Sequence, residues 1–471
     1  MPYMSLAQAP APARPVYTLE RYDEDWSFLR DASKRTDLFD PVKWIPLGKD
    51  DSWFLTLGGE LRERFQDVRN PAFGLPSPTR PTNIFHRTFL FADIHIGPHF
   101  RTFVEFVNGE ALGTKTRSPL EQDRLDVLQT FADVLLPIGK IGEFTLRGGR
   151  QQLTFGSSRL VSFRESPNVR RAFDGVRAFW KTGAGERLDA FLVRPVNPRL
   201  GVFDDSTDRT QLFWGIYGTS PVSPVKGLSL DVYYLGLDRE GAPFAQGLAH
   251  EHRHTIGARL FGKRTGSDWD VEAFDFDSYE PSDDGSKFDC NVEAAVQFGS
   301  FETAEIRAWM ISSNWGYTFL ELPLSPRLGL KADVASGDSN LHDNRLGTFN
   351  ALFPALLYYS QVRLFEPSNL LNLQPNVTVH FANRVNVNVA WSALWRESKA
   401  DAFYAPPLVP VKGTATSDRF IGQQASATLS WKATAHLNIA ANYTHFIPGG
   451  SVREAGGRSG DFFLALGQFK F

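Results

Sequence analysis

From Trp53 to the end of the chain one unit recurs: about ten residues that alternate between two faces, then a turn. In Leu55–Phe65, Leu55, Leu57 and Leu61 share one face, and Thr56, Glu60, Arg62 and Arg64 share the other. In Arg87–Ile96, Leu90, Ala92, Ile94 and Ile96 oppose Arg87, Phe89, Phe91, Asp93 and His95. The last quarter is the cleanest: Val385, Val387, Val389 and Trp391 oppose Asn386, Asn388 and Ser392. The final DFFLALGQFKF sets Phe463, Ala465, Gly467 and Phe469 against Gln468 and Lys470. A period of two marks a strand whose two faces meet different surroundings.

The chemistry of the faces decides which surroundings. A soluble all-β protein also alternates, but it turns its apolar face to a core. Here Arg, Asp, Glu and Asn sit in mid-strand on nearly every unit, while Leu, Val, Ile and Ala build the other face, with aromatics near strand ends. Connections alternate too. Short ones fall at Gly97-Pro98, Pro137–Gly142, Thr182–Glu186, Ala382-Asn383 and Lys432–Thr434. Longer polar ones fall at Gln66–Thr82, Asn108–Asp123, Asn197–Asp208, Asp238–Glu251, Ser336–Glu366 and Glu397–Asp418. That combination predicts an all-β chain closed into an antiparallel up-and-down transmembrane β-barrel, since closure satisfies every backbone amide in lipid.

About nineteen units can be counted, and bacterial single-chain barrels have an even number of strands. Ser267–Tyr279 is the weakest, because Asp275 and Asp277 fall among its apolar positions. The expectation is therefore 18 strands over residues 52–471. No run approaches the roughly 18 apolar residues of a membrane helix. The single Cys290 rules out a disulfide framework, and a net charge of −3 argues against a nucleic-acid partner.

Ahead of the barrel, residues 1–16 read as a signal remnant or flexible tail, with Ser5-Leu6-Ala7 fitting a small-x-small cleavage site. Residues 17–51 are mixed in pattern and are assigned to a periplasmic or lumen-tucked segment.

Charge is uneven. Arg147–Arg177 holds seven arginines against Glu165 and Asp174, within a chain that is slightly acidic. Arginine forks suit bidentate binding of carboxylate. Read with the strand faces, Arg62, Arg64, Arg87, Arg101, Arg147, Arg150, Arg177 and Arg259 are the candidate pore arginines. Each has a second reading as a strut paired with a carboxylate on a neighbouring strand.

Two further clusters carry candidate metal ligands. His250, His252 and His254 alternate on one face, as a rim metal site or a solvated loop end. Asp338, Asn340, Asp343 and Asn344 offer hard oxygens for Ca²⁺ without the spacing of an EF-hand loop. No nucleophile-elbow, P-loop, zincin or dinucleotide motif occurs, so the expectation is no enzyme, no cofactor and no metal.

Several stretches resemble the alginate export family of outer-membrane proteins: RYDEDWSFLRD at Arg21–Asp31, LTLGGELRERF at Leu55–Phe65, Gly149–Arg177, and ASGDSNLHDNRLGTFNALFP at Ala335–Pro354. The specific parts are Gly149-Arg150-Gln151 with Phe173-Asp174-Gly175, and the Ser336–Asn340 loop. The resemblance implies a monomeric 18-stranded barrel exporting an anionic polysaccharide past an arginine-lined pore. It also implies a Gram-negative outer membrane as the site, with both termini periplasmic. Outer-membrane lipid, an anionic saccharide and periplasmic secretion components are the implied partners. Lumen-facing Asp93, Glu105, Asp133, Asp189, Glu293 and Asp333 count against a uniformly positive pore. Two alternatives stand beside export: a general or nutrient-uptake porin for small organic acids or sugars, and an outer-membrane barrel enzyme.

Overall fold

The computed structural model describes residues 15–48, 52–75, 79–114, 117–139, 141–225, 227–262, 287–381 and 384–471. Eighteen long strands form one antiparallel sheet in chain order. They are β1 Trp53–Arg69, β2 Thr82–Ile96, β3 Phe100–Leu112, β4 Asp123–Pro137, β5 Glu143–Gln151 and β6 Phe173–Lys181. Next come β7 Arg187–Asn197, β8 Gln211–Pro221, β9 Leu228–Phe244, β10 Gly247–Gly262, β11 Phe288–Phe301 and β12 Ala304–Thr318. The last six are β13 Arg327–Ala335, β14 Leu370–Phe381, β15 Val385–Trp395, β16 Phe420–Lys432, β17 Leu437–Pro448 and β18 Gly460–Lys470. β1 pairs with β2 through Trp53↔Ile96 and with β18 through Glu60↔Lys470, so the sheet closes on itself. The barrel of 18 strands is as the zigzag predicts. It closes without Ser267–Tyr279, which lies outside the described residues, as do Ser5-Leu6-Ala7 and Ala382-Asn383.

The two faces separate as the alternation requires. Leu90, Val176, Ile216, Val232, Ile256, Val296, Ile311 and Val389 point outward and are exposed, while Glu60, Arg62, Arg87, Asp133 and Arg177 point inward and are buried. An exposed apolar belt of this kind is the surface a lipid bilayer covers. No described helix is long and apolar enough to cross a membrane, which is no constraint on strands.

One connection differs from expectation. Asp238–Glu251 is not a polar loop: β9 and β10 continue as a hairpin to Phe244↔Gly247. The extension is held by packing, because Ala242 and Phe244 bury against Phe301, Ile306, Leu346 and Tyr404. Tertiary contact overrides the polarity of its other residues.

Two long connections enter the barrel from the long-loop end. They are residues 152–172 between β5 and β6, and 336–369 between β13 and β14. They meet inside: Phe353 donates its N–H to the Leu160 carbonyl at 2.9 Å, and Ala355 to that of Ser158 at 2.8 Å. Beneath them Phe155 stacks on Tyr217, Tyr217 stacks on Tyr233, and Phe173, Phe213 and Phe353 complete an apolar core inside the wall.

The turn into the first of these loops explains the glycines of the Gly149/Gly175 motif. They face each other across β5 and β6. Gly149 has φ +134° and Gly175 φ +156°, and a Cβ on either would overlap a carbonyl of the next strand.

At the opposite end, residues 15–48 pack in the mouth as short 3₁₀ turns and one helical turn, Asp40–Lys43. Arg21 donates to the Gly59 and Phe471 carbonyls, both at 2.9 Å. Tyr22 sets its edge on Phe103 and Phe131, and Trp44 stacks on Phe54 with centroids 3.8 Å apart. Lys43 donates to the Leu57 carbonyl at 3.0 Å and is fully buried among Tyr17, Trp26 and Phe91. Burial pushes its ammonium down to about 7, and the nearby Arg21 adds to this.

Candidate functional site in the barrel lumen

Seven of the eight candidate arginines face inward, and all eight are ion-paired. Along β2, the two-residue repeat sets Phe89 beside Arg87, with the guanidinium 4.4 Å from the ring centre. In the same way Phe261 lies 3.8 Å from Arg259. The aromatic rings thus cover guanidinium faces while carboxylates take the edges.

Most pairs cross between neighbouring strands. Arg147 meets its register partner Asp133 in a bidentate pair, with Nε–Oδ1 2.8 Å and Nη2–Oδ2 2.9 Å. Arg259 meets Asp231 at 2.7 Å, also a register partner. Arg101 takes Asp93 on the diagonal, with Nε–Oδ1 2.8 Å, and Arg177 takes Asp189 likewise. The strut reading of these four is therefore realised in the geometry.

Arg62, Arg64 and Arg87 do something else. They reach across to the inward-folded loop. Arg62 donates to Glu165 at 3.2 Å and to the Pro167 carbonyl at 2.7 Å. Arg87 bridges Glu60 and Glu165, with its Nε 2.9 Å from Glu60. Arg170 joins both carboxylates from the loop, closely at Glu165 and at 3.9 Å from Glu60. Arg64 pairs with Glu121, which also meets Arg363 at 3.8 Å. One connected network thus sets five guanidinium groups against three carboxylates. Burial alone would raise the Glu165 carboxyl, but Arg170 and Arg87 hold it below the ordinary glutamate range. Arg64 and Arg363 do the same for Glu121.

The network is enclosed. The side chains of Arg62, Arg64 and Arg170 are nearly inaccessible and that of Arg87 is fully so, whereas Arg363 keeps 24% exposure at the network's edge. Arg170 also donates to the Leu19 carbonyl at 3.0 Å, so the long loop touches the N-terminal segment within the lumen. The picture of arginines lining an open passage is corrected for this wall: loop and segment cover them.

Arg150 is corrected more simply. It lies an odd number of residues from Arg147 and so faces outward, where it pairs with Asp174 at 2.8 Å. The remaining clusters also settle. His250 and His252 face outward and share Asp238 at 3.2 and 3.0 Å, and His254 pairs with the Tyr234 hydroxyl at 2.7 Å. The oxygens of Asp338, Asn340 and Asp343 accept backbone N–H groups of their own loop, from Asn340, His342 and Arg345.

The sequence reading did not single out Glu60, Glu121, Arg170 or Arg363. Arg170 lay within the arginine-rich stretch, but partners 78 and 103 positions apart, as in Arg87–Glu165 and Arg62–Glu165, leave no local signal.

Along β14–β17 the inward face changes character. Gln374 donates to Ser392 at 2.8 Å, Asn388 to Thr378 at 2.9 Å and Asn442 to Thr428 at 2.8 Å. Asn376, Asn386, Asn388, Ser426 and Thr428 remain half-exposed. This sector offers hydroxyl and amide groups where the other offers enclosed charge.

Residues 54–465 match the alginate export family. The chain belongs to the alginate export family. No curated protein sequence matches it. Among solved structures, this alginate export family chain is similar in fold to Pseudomonas aeruginosa OccK8 (OprE). The TM-score is 0.55 at 12% identity, covering 88% of this chain and 98% of that one. It is also similar to Pseudomonas aeruginosa OccK2 (OpdF) in complex with glucuronate: TM-score 0.56, 10% identity, 88% and 96% covered. A third is Pseudomonas aeruginosa OpdK with vanillate: TM-score 0.54, 10% identity, 88% and 98% covered. Family and barrel together make this alginate export family protein an outer-membrane channel.

Proposed function

We propose that the protein is a passive, selective outer-membrane channel for an anionic saccharide of the uronate class. The observation that carries the reading is the excess of guanidinium over carboxylate in the lumen network, with Arg363 at its exposed edge. A buried excess of positive charge throws a field across a water-filled passage and concentrates anions there. Carboxylates are attracted by that field and held weakly, as conduction requires. Sugar hydroxyls slide along the half-exposed amides and hydroxyls of β14–β16. The loop end is extracellular and the end holding both termini is periplasmic, so residues 15–48 guard the inner mouth. The barrel works as a monomer.

A second reading, passage of small organic acids or sugars, draws on the glucuronate and vanillate of the OccK2 and OpdK structures. Both ligands are carboxylates, so the field argument is shared and chain length separates the readings. The test is reversal potential and current block in planar bilayers, with monomeric uronate or polyuronate on one side. Anion preference with block by polyuronate supports export. Block by the monomer alone supports uptake. Cation preference ends both.

A further inference from the structure

We infer that Asp123, Asp126 and Asp205 form a Ca²⁺ site that fastens the loop between β7 and β8 to the rim of the barrel. The three lie at the long-loop end, two at the start of β4 and one in that loop. Among the described residues they are the one group in which three carboxylate, imidazole or thiol ligand atoms converge, all within 4.8 Å of one another. Oxygens around Ca²⁺ at 2.3–2.6 Å are separated by up to roughly 5 Å, so this spacing suits one ion.

A cluster of acids alone would carry little. The second observation is Asp123 itself. Its side chain is fully buried, and neither carboxylate oxygen makes a well-formed hydrogen bond, with the Leu125 N–H as a weak neighbour. An unpaired buried carboxylate is strongly disfavoured unless a charge compensates it.

The neighbours do not compensate. Asp126 is held in place by the loop: its Oδ2 accepts the N–H groups of Asp204 and Asp205 at 2.8 and 3.0 Å, and its Oδ1 that of Val127 at 2.7 Å. Asp205 Oδ1 accepts the Arg199 N–H at 2.6 Å. The adjacent guanidinium, Arg150, reaches Asp126 only at 3.8 Å and is committed to Asp174 at 2.8 Å and the Val127 carbonyl at 3.1 Å. Asp204 adds a fourth acid beside the group, with its Oδ1 turned to the Gly201 N–H. Like charges this close call for a cation between them. All donors are hard oxygens, which selects Ca²⁺ or Mg²⁺ over softer metals. A carboxylate-rich pocket with Asp123 and Asp126 buried favours Ca²⁺, because Mg²⁺ gives up its waters reluctantly.

The same contacts state what the ion does. Phe203 donates to the Leu125 carbonyl at 2.9 Å, and Leu125 and Val202 form a bridge, so residues 198–205 lie directly on β4. The ion adds a charge clamp to that seam.

The full chain, refolded in detergent and stripped with EDTA, would be titrated with Ca²⁺ by calorimetry and followed by thermal melting. One Ca²⁺ per chain is expected, with a rise in Tm that EDTA reverses and Mg²⁺ reproduces weakly. Asp123→Asn and Asp205→Asn should lose both the heat and the shift while still migrating as folded, heat-modifiable barrels. A wild-type protein indifferent to Ca²⁺ and EDTA would mean that Asp123 is held neutral by a proton, and the inference fails. It fails equally if both asparagine variants bind Ca²⁺ as the wild type does.

Discussion

Two sectors of one wall face the same lumen in different ways. From β1 to β7 the inward side chains include arginines and acids, interleaved with Phe89, Phe91, Phe103 and Phe131, mostly buried and tied to one another, to the loop 152–172 and to the N-terminal segment. From β14 to β17 many are amides and hydroxyls that bond across neighbouring strands, and Asn376, Asn386, Asn388, Ser426 and Thr428 stay partly open to water. Both sectors read simply as polar in the zigzag. The difference is what burial demands: a buried charge requires a counter-charge and recruits loops to supply it, whereas an amide is satisfied by a neighbour or by water. Charge closes one side of the lumen; on the other, Gln374 and Gln424 meet the Tyr359 carbonyl of the second loop, and the half-exposed amides and hydroxyls nearer the short turns stay available.

The contrast can be broken in several ways. The largest effect is expected at Arg87, whose loss leaves buried Glu60 with only the distant Arg170 at 3.9 Å and removes one of the three guanidinium groups around Glu165. Arg87→Leu should cost about 3–5 kcal/mol, measured by urea unfolding of the refolded barrel. Asn388→Ala, in the amide sector, should cost no more than about 1 kcal/mol. Equal losses at the two sites would erase the distinction.

A somewhat smaller effect, of up to about 3 kcal/mol, is expected from pH. Glu366 lies in the second inward loop, where burial pushes its carboxyl up to about 7 against the pull of Arg171 and Arg239. The folded protein therefore holds a proton that an unfolded glutamate releases at lower pH. This group's stabilising contribution is full below the ordinary glutamate range and is lost as pH rises through about 7. Glu366→Gln should flatten melting curves between pH 5 and 8 and raise Tm at pH 8. A variant with the wild-type pH slope would show that the loop is not buried as described.

The N-terminal segment sharpens the contrast by function. Removing residues 15–48 uncovers the charged sector from the short-turn end and should give a severalfold rise in single-channel conductance. Unchanged conductance would mean that ions travel only along the amide sector. The smallest effect is expected from single charges at the edge. Arg363→Gln should lower anion preference modestly in bilayers, and outward-facing Arg150→Gln should leave it unaltered. The reverse order would place the ion path on the wrong face.

Parity carried much of the reading. Residues an even number apart share a face, which put Arg62, Arg87, Arg147 and Arg177 inside and, applied to Arg150, would have put it outside. Register carried the rest of the struts: Arg147 opposite Asp133 is fixed once β4 and β5 are aligned. Neither device reaches Glu165 or Arg363, because a loop that folds back has no period.

Composition and alternation by themselves thus determined that this chain is a closed barrel with an apolar outside and a polar inside, since each strand must satisfy lipid on one face and the lumen on the other. The three-dimensional fold alone decided which polar groups meet water. Long loops are free to cross the interior, and they go where buried charge and aromatic surface hold them, at Arg62, Arg87 and the Phe173–Phe213–Phe353 cluster. That choice depends on contacts between residues a hundred positions apart.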